Sequence, residues 1–357
     1  MTPKALRTTA GNVVLLIALI AIAGIGSFTA PVSANAQPSV TGGKPRGGPA
    51  DQAVSSPSIH AAERHTWTRE EMLRAIPYPV ENVARTPKAG DPAPSASGPE
   101  VKLAGSLPKA DKASKKDSNP LPAGDVSATY YSGVLDPYYY TSYPFSTVGK
   151  VFFTSNGMNY VCSGSVMGNN AIWTAGHCVF DPNTYTWHSN WVFVPAYYDG
   201  YAPYGQWYAR ELWTLTGWTD YGNFGFDIGA AVLWPNGNSI AYYTGSLGFW
   251  ANGSRGVYIT AFGYPAESPF NGLRMAWCQS STWVDYSFNP ATNGMGCNMT
   301  RGASGGPWIY AYTYGYTGNS NYVNGVNSYK YLSDPNSIYS PYFGDGAIII
   351  YDSVIYR

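Results

Sequence analysis

The chain has 357 residues, and its 21 basic and 21 acidic side chains cancel to a formal net charge of zero. Only 12% of the residues are charged while 16% are aromatic. No stretch concentrates the basic charge that a nucleic-acid surface requires, so nucleic acid is set aside as a partner.

The N-terminus reads as an export signal over residues 1–36. Lys4 and Arg7 supply a positive start, an apolar stretch runs from Val13 to Ile25, and Ala34, Asn35 and Ala36 offer a small-x-small cleavage site. The apolar stretch is shorter than the roughly 20 residues a spanning helix needs. Cleavage is therefore expected, leaving a secreted, extracellular chain with no membrane attachment.

Residues 37–125 are rich in Pro, Ala, Gly, Ser and Lys and are expected to be a propeptide or linker that cannot fold by itself. Within them the run from Trp67 to Ile76, closed by Pro77, predicts a short helix. Thr68 would cap it and Glu71 would complete a capping box. Lys115 and Lys116 form a candidate cleavage site. The leader carries 12 basic and 10 acidic residues, a net of +2, whereas residues 126–357 carry 7 and 11, a net of −4.

From residue 126 onward the composition changes: 30 of the 31 tyrosines and 11 of the 12 tryptophans lie there. Short β-branched and aromatic runs are separated by Gly, Asn, Pro and Asp. Strands are predicted over 151–154, 171–175, 191–194, 228–233 and 257–262, which argues for an all-β sandwich or barrel. The tail 346–357 fits a helix or a strand. No repeat of fixed period is present, against a propeller or solenoid.

All four cysteines fall in this second part. In an oxidising compartment four cysteines imply disulfides with three possible connectivities. The local pairs Cys162 with Cys178 and Cys278 with Cys297 close short loops and are preferred, although sequence alone leaves the pairing open. Zinc is disfavoured, because no CxxC or HxxxH spacing occurs. No metal or other cofactor is expected.

Two segments carry chemistry. Thr174-Ala175-Gly176-His177-Cys178 places a histidine after a strand, and Gly302-Ala303-Ser304-Gly305-Gly306-Pro307 places a serine among glycines. A serine hydroxyl becomes a nucleophile when an adjacent imidazole takes its proton, and that imidazole needs a buried carboxylate to orient it. Asp227 leads directly into the apolar strand 228–233, where a charge demands a partner. Its rival Asp220 lies in the turn-like Thr219-Asp220-Tyr221-Gly222-Asn223. Each residue alone has an ordinary structural explanation; the order His, Asp, Ser in an exported all-β domain favours one site.

These segments resemble the signature regions of trypsin/chymotrypsin-fold serine endopeptidases, in particular the secreted microbial branch that includes the glutamyl endopeptidases. The likeness covers roughly residues 145–345 and is specific around the three segments. It implies two six-stranded antiparallel β-barrels with the active site between them, and a polypeptide substrate cut by a monomer. It further implies His177 as general base, Asp227 as its orienting group, Ser304 as nucleophile, and the N–H groups of Gly302 and Ser304 as oxyanion hole. Cys162–Cys178 would match the family bridge beside the histidine. The segment Gly325-Val326-Asn327-Ser328-Tyr329 resembles the strand that pairs with substrate backbone, so Asn327 and Ser328 are expected to bind substrate.

Two departures matter. Ala303 replaces the aspartate that pairs with a new N-terminus in animal trypsin-like enzymes. No acidic residue lies at Asn298, Met299, Thr300 or Arg301, where trypsin carries its selecting aspartate, and Arg301 would instead favour acidic side chains. Two other readings compete. An aromatic-rich, non-catalytic carbohydrate or cell-wall binding module could use the same fold. An α/β-hydrolase esterase would match Gly-x-Ser-x-Gly, but there the serine precedes the histidine.

Overall fold

The computed structural model describes residues 50–79, 98–110, 119, 121, 125–126, 130–315 and 318–357. The predicted signal at 1–36 and the cleavage candidate Lys115-Lys116 lie outside the described residues. Among the described residues no helix is long and apolar enough to cross a membrane.

The predicted strands all form. Four of them, with the unpredicted strands Met158–Gly168 and Trp207–Leu215, close a barrel in the order Val148–Ser155, Met158–Gly168, Ala171–Thr174, Gly229–Leu233, Trp207–Leu215 and Ser189–Pro195, the last pairing back with the first. Every residue of Ala171–Thr174 and Gly229–Leu233 is buried, which is why these strands read as continuous apolar runs instead of alternating ones. Phe152, Ile172, Val192, Leu212 and Ala231 are among the residues these strands contribute to the hydrophobic core.

The C-terminal strands follow a second path: Tyr329–Tyr331, Asp334–Ser340, Thr292–Gly296, Ala276–Asp285, Tyr258–Gly263, Pro307–Tyr310 and Tyr322–Val326. Beyond Tyr322–Val326 the path continues to Gly248–Ala251, and among the described residues no ladder joins Tyr322–Val326 to Tyr329–Tyr331, so hydrogen-bonded closure of the second barrel implied by the family resemblance is not seen there. Those two strands are joined covalently instead. Tyr322–Val326 runs into Tyr329–Tyr331 through Asn327 and Ser328, where the ladder is interrupted. The tail is a helix, Asp345–Val354, which buries Ala347, Ile350 and Val354.

Described parts of the leader add strands to both sheets. Ala53–Ser55 pairs with Trp213–Leu215, Ile76–Pro77 runs parallel to Tyr160 and Val161, and Val101–Leu103 pairs with Gly248–Ala251. The predicted helix is Arg69–Arg74, with Thr68 and Glu71 forming the reciprocal capping box. A two- or three-residue edge strand needs no core of its own, because the sheet it joins supplies the partners. Composition could not register such additions.

Candidate active site

The barrel's register brings His177 and Asp227 together. Ala171–Thr174 and Gly229–Leu233 are antiparallel neighbours with Thr174 opposite Gly229. A residue three beyond the end of the first strand and one two before the start of the second therefore emerge at the same rim. His177 sits in the 3-10 turn Gly176–Cys178, and Asp227 follows the turn Phe224–Phe226. Gly176 is required for this approach. A Cβ there would lie 2.9 Å from Asp227 Oδ1, from Thr214 Oγ1 and from Trp218.

Asp227 is fully buried and accepts three hydrogen bonds. The His177 backbone N–H donates to Oδ1 at 2.7 Å, His177 Nδ1 lies 2.7 Å from Oδ2, and Ser328 Oγ donates to Oδ2 at 2.5 Å. Three donors offset the cost of burying the carboxylate. With Nδ1 committed to Asp227, His177 Nε2 is left as a buried nitrogen with no hydrogen-bond partner among the described residues. Asp220 instead accepts from Tyr185 and Thr219 hydroxyls in a partly exposed turn.

Ser304 lines a cavity of about 300 Å³ together with Thr300, Arg301, Ser328, Lys330 and Ile338. Its loop is tied to the first barrel: the Ser163 N–H donates to Ser304 O at 2.6 Å, and Ser163 Oγ donates to Gly302 O at 2.9 Å. Gly302 adopts φ +97°, and a Cβ on it would meet Tyr264 O at 2.7 Å. Among the described residues the N–H groups of Gly302 and Ser304 have no backbone acceptor, whereas those of Ala303, Gly305 and Gly306 do.

The residues expected to bind substrate divide. Asn327 lines the cavity, but its fully buried amide is spent on the protein. Nδ2 donates to Phe262 O and Ala303 O, each at 2.9 Å, and Oδ1 accepts from Trp308 Nε1 at 2.8 Å. Ser328 turns its hydroxyl to Asp227. Arg301 is ion-paired with Glu267 at 2.8 Å across the cavity rim. Lys330, which the sequence reading passed over, lies in the cavity wall and donates to Cys297 O at 3.2 Å and Met299 O at 2.9 Å. Two cations against one carboxylate leave the lining one positive charge in excess. Burial pushes the Lys330 ammonium down to about 8, against a smaller upward pull from Asp334.

His188 stands in no motif that the sequence marks. Its Nε2 lies 3.0 Å from His177 O and its ring stacks on Phe153 at 4.3 Å, so it braces the turn that carries His177. Burial lowers its pKa to about 4, which keeps it neutral. Both disulfides are local, Cys162–Cys178 and Cys278–Cys297. Each is worth about 3 kcal/mol at this loop length. The cluster Cys162, His177 and Cys178 has the compactness of a metal site, but its two sulfurs are bonded to each other and cannot ligate.

No protein-family model matches the chain. Among solved structures it is similar to the protease Anisep from Arthrobacter nicotinovorans, at 40% identity and a TM-score of 0.55, over 59% of this chain and 96% of that one. It is also similar to the thermostable serine protease AL20 from an extremophilic microorganism, at 37% identity and 0.54, over 58% and 96%. The chain belongs to the trypsin-like serine proteases. Curated relatives match over shorter spans. An extracellular metalloprotease of Bacillus subtilis is 25% identical over 53% of this chain and 60% of its own length. A glutamyl endopeptidase of Bacillus licheniformis is 27% identical over 36% of this chain and 38% of its own. The chain thus spans less than two thirds of either curated relative.

Proposed function

We propose that this protein is an exported serine endopeptidase in which Ser304, His177 and Asp227 form the catalytic triad. The observation that carries the reading is the arrangement at His177: Nδ1 held by a fully buried carboxylate and Nε2 unpartnered among the described residues, with Ser304 on a cavity whose wall includes Ser328, the donor to that same carboxylate. Ser304 Oγ attacks the scissile carbonyl carbon as His177 Nε2 takes its proton. The oxyanion falls to the N–H groups of Gly302 and Ser304, a contribution of about 3–4 kcal/mol per donor. Collapse breaks the C–N bond, Nε2–H protonates the departing amine, and an ester remains on Ser304 Oγ. Water activated by Nε2 then releases the acid and restores the serine.

A fluorophosphonate probe reports the nucleophile. The secreted chain is expected to be labelled at Ser304, and Ser304→Ala to take up none. An unlabelled wild type, or equal labelling of the variant, removes the assignment. Part of the aromatic content that suggested a carbohydrate-binding module is core, since Trp173, Trp207, Trp277 and Trp308 are fully buried.

The excess positive charge of the cavity selects an acidic side chain on the acyl side of the cut, with Lys330 as the recognising group in place of the compensated Arg301. A protonated ammonium attracts a carboxylate and a neutral amine does not. Preference for glutamate over glutamine is therefore expected below about pH 8 and to fade as pH rises through the Lys330 pKa. Lys330→Met should erase the preference at every pH. Competing glutamyl and glutaminyl peptides, ranked by kcat/KM from pH 6 to 10, check both statements.

A further inference from the structure

The leader is docked along the rim that holds His177. The Tyr78 N–H reaches Val161 O at 3.4 Å, continuing the parallel pairing of Ile76 and Pro77 with Tyr160 and Val161. The next residue on that strand is Cys162, bridged to the neighbour of His177. The Tyr78 ring enters an aromatic notch made by Phe153 at 5.5 Å, Tyr160 at 5.1 Å and His188 at 5.1 Å. It lies nearly parallel to the His177 imidazole, 16° between planes and 6.2 Å between centroids. Only 2% of His177 remains exposed.

The approach is anchored upstream. Trp67 is 1% exposed, its Nε1 donates to Asn190 O at 2.9 Å, and its backbone N–H and C=O are both bound by the Gln206 amide, at 3.0 and 2.6 Å. Arg69 donates to Asp199 O at 2.9 Å, and Ala53–Ser55 extends the barrel sheet. Pro79 holds Tyr78 in an extended conformation, because a residue preceding proline disfavours the helical one. The helix Arg69–Arg74 is thus a spacer between two anchors, and the contact with the histidine is made by the strand that follows it.

We propose that residues 50–79 are an intramolecular inhibitor, with Tyr78 as the side chain that closes the leaving-group side of the active site. The inference rests on the serine peptidase reading above. His177 must hand a proton to the departing amine, so the chain carrying that amine has to pass where Tyr78 now lies. An attached ligand at an effective concentration of about 1 mM and a Kd of about 0.1 mM lowers the free fraction about tenfold.

The test compares the full exported chain with Tyr78→Ala and Tyr78→Phe. Tyr78→Ala is expected to hydrolyse a peptide substrate, and to take up fluorophosphonate, about tenfold faster. Tyr78→Phe keeps the ring and should stay at the wild-type rate, and a synthetic peptide of residues 66–79 should return Tyr78→Ala toward that rate. A gain of activity cannot come from a misfolded variant. Equal rates for the three chains, with no inhibition by the peptide, overturn the proposal. A second readout does not need turnover. In a Ser304→Ala background, diethyl pyrocarbonate should modify His177 about tenfold faster when Tyr78 is alanine. Equal modification rates overturn the cover, whereas a Tyr78→Ala chain that modifies fast but never labels at Ser304 overturns the peptidase reading and leaves the cover supported.

Discussion

Replacing Ser304 by alanine is expected to lower kcat by about a millionfold with little change in KM, and His177→Ala should do nearly the same. The reason is that the two side chains perform one act. Without the imidazole the hydroxyl keeps its proton and is a weak nucleophile; without the hydroxyl the imidazole has nothing to activate. The double variant should therefore be no slower than either single one, and residual catalysis should come from the Gly302 and Ser304 N–H groups acting on a water attack. A peptide p-nitroanilide assay over all three variants measures this. If the losses multiply in the double variant, the two residues act independently and are not a nucleophile and its base. On the proposed reading substrate affinity comes from the cavity wall, which includes Lys330 and Thr300, and KM is therefore expected to hold.

Much of this site was legible because its signals are local. His177 and Ser304 stand in short segments whose glycines have a geometric purpose, at Gly176 for the approach of Asp227 and at Gly302 for the backbone turn. Asp227 could be chosen over Asp220 because an acid directly ahead of an apolar strand must be buried and partnered. The role of Ser328 could not be read this way. It depends on the interruption between Tyr322–Val326 and Tyr329–Tyr331, which turns the hydroxyl toward Asp227, a contact across 101 residues. Asn327 likewise reads as a polar residue beside substrate, and only the fold shows its amide filled by Phe262, Ala303 and Trp308. The compensation of Arg301 by Glu267 and the entry of Lys330 into the cavity are long-range pairings of the same kind.

The leader held a signal that composition obscured. Residues 1–125 contain one tryptophan, Trp67, and one tyrosine, Tyr78. In a stretch otherwise too polar to build a core, large rings gain stability only by burial against another body. These two are the anchor and the ring at His177. Averaging over 37–125 describes a linker, whereas its two isolated aromatics mark where the linker docks.

Asp227→Asn tests the orientation of the imidazole with little change of shape, and kcat should fall by about ten-thousandfold. The asparagine oxygen can still accept from the His177 backbone N–H, as Oδ1 does now at 2.7 Å. Its amide nitrogen then faces His177 Nδ1 where Oδ2 had been, and two donors cannot bond each other. The ring responds by moving its proton to Nε2, the atom that must accept from Ser304. The histidine remains in place in the wrong tautomer. Fluorophosphonate labelling should slow in parallel with kcat, because acylation by the probe needs the same proton transfer. Asp220→Asn supplies the contrast, since among the described residues its carboxylate accepts from the Tyr185 and Thr219 hydroxyls and not from His177. That variant should stay within about twofold of wild type, as surface substitutions usually do. Comparable losses in the two variants would assign the effect to charge or folding in general and take the orienting role away from Asp227.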